Sequence, residues 1–155
     1  MQSVDKVVEE SKPSIWEPEE PVYTSDDLIK AYLDGKEEGL QREKKVLVEK
    51  LKENTSAAAD LTQSIFEILQ TKKITPEFAY LRINAWDNIN VAIGVPEKSY
   101  ISEEMLSVYD YTWDIETEAN ADDSRKIIFS FLGLNENFKL NCLISDGYYW
   151  KFKNP

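Results

Sequence analysis

The sequence predicts an α+β protein: a long N-terminal helix followed by a small domain with a mainly antiparallel sheet. Three observations carry this. Apolar residues recur at heptad spacing through a stretch with no proline before Pro76. From Lys73 onward the apolar period becomes two. The segment SEEMLSVYDYTWDIETEA then returns to a helical pattern between the strands.

Residues 1–24 hold Pro13, Pro18 and Pro21 among acids, with few aliphatic side chains. They bury too little to offset chain entropy, so a flexible acidic tail is expected. Within it, SIWEPEEPVY sets Trp16 and Tyr23 on an extended, proline-rich backbone of the kind short docking peptides use. The alternative is a Trp16 that folds back on the domain.

Thr24-Ser25-Asp26-Asp27 suits a helix start, with hydroxyls for the free N–H groups and acids at the positive dipole end. A helix over residues 25–73 follows. In one heptad register Leu33, Leu40, Leu47, Asn54, Leu61 and Ile68 share one core position. Lys30, Glu37, Lys44, Leu51, Ala58 and Ile65 share the other, which makes a candidate coiled coil. A helix of that length, about 70 Å, protrudes unless it pairs or folds back. Asn54 is then either a buried residue that sets register or the site of a bend.

A glycine within a helix costs about 1 kcal/mol relative to alanine, yet AYLDGKEEGL carries two. Ala31, Gly35 and Gly39 recur every four residues. Either they form a small-residue face that another backbone approaches, or Gly35 caps a short helix that restarts near Lys36. This AxxxGxxxG spacing ahead of a charged helix resembles the stator-like regulators of flagellar and type III export ATPases over those nine residues alone, and no function is carried over from it.

Residues 74–155 are expected to form ββαβ(α)β. FAYLRINAW (78–86) and INVAIGV (89–95) alternate about a turn at Asp87-Asn88 and read as a hairpin that Pro96 ends. Ser102 is the expected cap of the next helix, with Glu103 and Glu104 in its first turn. KIIFSFLGL (126–134) and YYWKFK (148–153) are strands flanking a short helix within NENFKLNCLISDG. Helices are expected on one face of the sheet. The face of Phe78, Tyr80, Arg82, Asn84 and Trp86, with Tyr149, Lys151 and Lys153, is expected to pack on the long helix or a second subunit.

Composition excludes several chemistries. The net charge of -11 divides into -6 for residues 1–27, +1 for 28–73 and -6 for 74–155. Such a surface does not suit nucleic-acid phosphates or anionic membranes and favours a basic protein partner. The chain has no histidine, which removes the usual general base and the commonest metal ligand. Its single cysteine, Cys142, lies in an apolar run and reads as core. Phosphate-binding glycine motifs are absent, and no cofactor or metal is expected. Without an apolar N-terminal segment or a run of about 20 apolar residues, a cytoplasmic location is the default expectation.

On a helical wheel at 100° per residue, Asp110, Asp114 and Glu118 fall within about 60° of Glu103 and form one stripe. Met105, Val108, Thr112, Ile115 and Ala119 cluster at about 120–200° from Glu103. No Lys or Arg lies between Ser99 and Ser124. The stripe is either a solvated face or a docking surface for a basic partner.

The leading expectation is a non-enzymatic assembly or adaptor protein that self-associates, as a homodimer, through the long helix. Leu40, Leu47, Leu51, Leu61 and Ile65 would form its seam, Ala31, Gly35 and Gly39 a second contact, and Trp16 a docking point. The alternative is an acidic inhibitor or antitoxin-like protein that binds a basic surface through Asp110, Asp114 and Glu118 on the Glu103–Asp123 segment.

Overall fold

The long helix stops where one residue turns left-handed. In the computed structural model, which describes residues 16–18, 41–121 and 124–153, helix α1 (Gln41–Thr71) runs unbroken through Asn54. Lys73 then adopts φ 62°. Its N–H donates to Gln70 O at 3.0 Å, and the N–H of Ile74 donates to Leu69 O at 2.9 Å. That pair of bonds satisfies carbonyls left open at a helix C-terminus. Ile74 and Leu69 are both buried, so the cap also closes the end of the core. The part of the expected helix before Gln41 lies outside the described residues.

After this cap come β2 (Phe78–Ala85) and β3 (Asn88–Pro96), paired antiparallel with a register shift between Ile83 and Ala85. The earlier strand β1 (Trp16–Pro18) precedes α1. Short helix α2 (Glu97–Tyr100) and helix α3 (Glu104–Ala119) lead to β4 (Lys126–Leu134). Helix α4 (Leu140–Ser145) and β5 (Trp150–Phe152) complete the order.

The five strands form one sheet in the order β1-β5-β2-β3-β4. The protein is α+β, but its sheet is mixed rather than mainly antiparallel. β3 and β4 are parallel over Asn88–Pro96 and Lys126–Leu134, because a helical crossover, not a hairpin, joins them. Trp16–Pro18 also departs from the expected tail. It pairs antiparallel with β5, Trp16 opposite Phe152, and Pro18 is tolerated because β1 is an edge strand.

Period-two alternation divides the sheet between two covers. Ala79, Leu81, Ile89, Val91, Ile93, Val95, Ile127 and Phe129 join Ile65, Phe66 and Leu69 of α1 and Met105 and Val108 of α3 in the main core. The opposite face, with Tyr80 and Ala92, is covered by Leu143 and Tyr148, and Phe78 and Phe138 pack beside them. Helices therefore lie on both faces. The long helix covers the Ile/Val face rather than the expected Phe78–Tyr80 face, since the larger aliphatic surface gains most from burial.

Cys142 is exposed, contrary to its reading as core. In the short α4, Leu143 is the residue buried toward the sheet, and the neighbouring position, about 100° around the helix, points away. Gly147 follows with φ 102°. There the Arg82 side chain passes so close that a Cβ would lie 2.9 Å from its Cδ. The Arg82 guanidinium sits 5.1 Å from the centre of the Tyr148 ring.

Candidate protein-interaction face

The wheel of α3 separates three flanks. Met105, Val108 and Thr112 are buried against the sheet, and Ile115 packs on the same core. Glu103, Asp110, Asp114 and Glu118 are exposed. Between these arcs lie Leu106 and Trp113, 63% and 69% exposed, with Tyr109 beside them. Their spacing of three and then four residues puts all three on one flank of the helix. Sequence reasoning assigned the acidic and buried arcs and passed over this third one. Its signal was there: apolar residues at helical spacing outside the buried arc.

Tyr109 locates the flank in the fold. Its ring meets Phe131 of β4 edge-on at 5.5 Å. Burial, followed by the neighbouring Tyr100 phenol, pushes its hydroxyl above the usual tyrosine range. Tyr100 lies over Gly133, where an added Cβ would come within 2.9 Å of the ring. Ile101 is also exposed. An aromatic and aliphatic patch with acids along one side therefore runs beside β4, at the end of the sheet.

The edge of β4 is treated differently along its length. Asn120 donates through Nδ2 to Ile127 O at 2.9 Å and accepts at Oδ1 from Ile127 N–H at 2.9 Å. Glu116 Oε2 accepts from Phe129 N–H at 2.6 Å. Burial raises the Glu116 carboxyl above the usual carboxylate range, and the Phe129 N–H partly opposes the shift. These side chains occupy the strand's outward positions as a neighbouring strand would.

The residues singled out from the sequence lie in several places. Leu51 and Ile65 are buried within this chain, Ile65 in the cluster that α1 forms with the sheet, and Leu61 packs against that cluster. A 3.6-residue stripe that fits a coiled-coil seam fits a sheet equally well. Leu47 is half-buried. Asn54 is buried in an uninterrupted stretch of the helix, and its Nδ2 donates to Trp86 O at 2.7 Å. Trp16 is 5% exposed, donates to Thr55 O at 3.0 Å and packs on Phe152 at 5.3 Å. Its docking surface is thus its own domain. Ser102 does not cap α3; its hydroxyl donates to Ser99 O, because α2 immediately precedes it.

Ala31, Gly35, Gly39, Leu40, Asp122 and Asp123 lie outside the described residues. Among the described residues no helix is long and apolar enough to cross a membrane, and no three acidic or thiol side chains converge as a metal site would require. No protein-family model matches the chain, and no curated protein or solved structure matches it.

Proposed function

We propose that this is a non-enzymatic protein-interaction protein, an assembly or adaptor component or an inhibitor, that receives a basic partner on the outer flank of α3. One observation carries the reading. Leu106 and Trp113 are largely exposed on a helix that buries its opposite side well; Asp110, four residues from one and three from the other, adjoins them on the helix surface, and Asp114 follows in the same exposed acidic stripe. Large apolar side chains exposed together and rimmed by charge mark interaction sites more often than they mark free surface. The acids would select a basic partner and speed its approach.

The test is titration with a lysine-rich amphipathic peptide, followed by tryptophan fluorescence, with a glutamate-rich peptide of the same pattern as control. Binding should weaken with salt, should fail in the double variant L106A/W113A, and should drop on charge reversal in D110K/D114K. Equal binding of both peptides, or binding unchanged in both variants, would remove the reading.

Self-association through α1 is a second reading. It is supported by exposed Val46 and half-buried Leu47 and Val48, which continue the helix beyond its buried part. A coiled coil there would use this N-terminal portion, because Leu51 and Ile65 serve the chain's own core. A mass that stays monomeric over a wide concentration range would remove it.

A further inference from the structure

The end of the sheet that carries this flank is an open strand edge over only part of its length. Backbone groups of alternate residues in a strand point to the same side. The bonds from Asn120 and Glu116 show that Ile127 and Phe129 point away from β3, so Phe131 and Gly133 do as well. Among the described residues, no side chain or backbone group bonds to the outward N–H and C=O of Phe131 or Gly133. The first half of the edge is thus capped and the second half is open. The open half lies beside Tyr100 and Tyr109.

We propose that the basic partner binds as an extended segment, adding a strand to β4 at Phe131–Gly133. This rests on the reading of the α3 flank as the docking face and specifies how that face is used. Two outward residues on one strand, about 6.6 Å apart, present donors and acceptors at the spacing of an extended chain, a match that a helix cannot make because its own backbone groups are already paired. Alternate side chains of the added strand would fall on the aromatic side, toward Tyr109 and Leu106. Long Lys or Arg side chains would reach onward to Asp110 and Asp114. Glu116 and Asn120 would stop the added strand at Phe129, which sets its register.

Charge decides between a foreign segment and a second copy. Two copies joined edge to edge through β4 would bring two α3 helices together, and no Lys or Arg occurs between Ser99 and Ser124 to offset their acids. Like charges facing one another disfavour that pairing. A basic strand carries the complementary charge.

The experiment is amide hydrogen exchange on the full chain, read residue by residue. The probe is a seven-residue peptide alternating Lys with Val or Ile, against the same pattern with Glu in place of Lys. Exchange at Phe131 and Gly133 should slow by about tenfold or more with the Lys peptide, with little change at Ile127, whose groups are already bonded. D110K/D114K should lose most of that protection while its free-state exchange pattern stays that of the parent chain.

Fluorescence change without protection at Phe131 and Gly133 would overturn strand addition and leave the docking face standing. No response of any kind to the Lys peptide would overturn both. Concentration-dependent protection of these amides without peptide would assign the edge to a second copy and overturn the inference.

Discussion

Asn120 treats Ile127 as a neighbouring strand would, donating to its carbonyl and accepting from its N–H, both at 2.9 Å. One amide side chain thereby satisfies both backbone groups of an edge residue that water or another chain would otherwise take. N120A should destabilise the protein by about 1–3 kcal/mol, the range for leaving partly buried polar groups unpaired. N120D should cost more at neutral pH, since it keeps the acceptor but sets a carboxylate against the Ile127 carbonyl. Urea unfolding of the three proteins checks the order.

Glu116 caps the next outward position, and burial raises its carboxyl above the unfolded value despite the Phe129 N–H. The folded state therefore holds this proton more tightly than the unfolded state. The stability it contributes is complete below the unfolded value and is lost as pH rises through the folded one. E116Q keeps an acceptor for Phe129 and loses the ionisation. Its midpoint in urea should exceed that of the parent at about pH 7, with the gap closing by about pH 3. A gap that widens on acidification would contradict the assignment.

Asn54 links α1 to the turn between β2 and β3 by donating to Trp86 O at 2.7 Å. N54A should cost about 1–3 kcal/mol. N54D should cost more, because a carboxylate cannot donate to that carbonyl. Helix content by circular dichroism should be unchanged in both, since the helix is continuous through Asn54 and the lost bond is to the turn outside it.

Gly147 has φ 102° and lies against Arg82. G147A should destabilise by about 1–3 kcal/mol through backbone strain alone. Because that strain is independent of the neighbour, the substitution should remain destabilising in an R82A background. Full relief in the double variant would assign the cost to the close contact instead.

Neighbouring positions on α3 should behave oppositely. L106A and W113A should each change stability by less than about 0.5 kcal/mol, whereas M105A, which empties a fully buried site, should cost about 2–5 kcal/mol. Thermal or urea unfolding separates the two classes. A large loss in W113A would mean that its ring supports the fold rather than a partner.

Local periodicity made several elements legible. The apolar spacing from Leu51 to Ile68 placed a helix and part of its buried stripe, at Leu51, Ala58 and Ile65, and the wheel over Glu103–Ala119 placed Met105, Val108 and Thr112 inward and the acidic stripe outward. Alternation in FAYLRINAW and INVAIGV marked two strands. These follow from dihedral geometry, which fixes the angle between successive side chains within an element.

What covers each face is a different kind of question. A 3.6-residue stripe reads the same whether it meets a second helix or a sheet, and that is why Leu51 and Ile65 resembled a seam and proved to be core. The parallel pairing of β3 with β4, the docking of Trp16 beside Phe152 and the exposure of Cys142 also depend on which distant surfaces compete for cover. So does the split of the β4 edge into a capped half at Ile127 and Phe129 and an open half at Phe131 and Gly133. The sequence alone set the repeat of each element and the sign of its charge. The tertiary structure decided the partners, because burial and hydrogen bonding are satisfied between segments far apart in the chain.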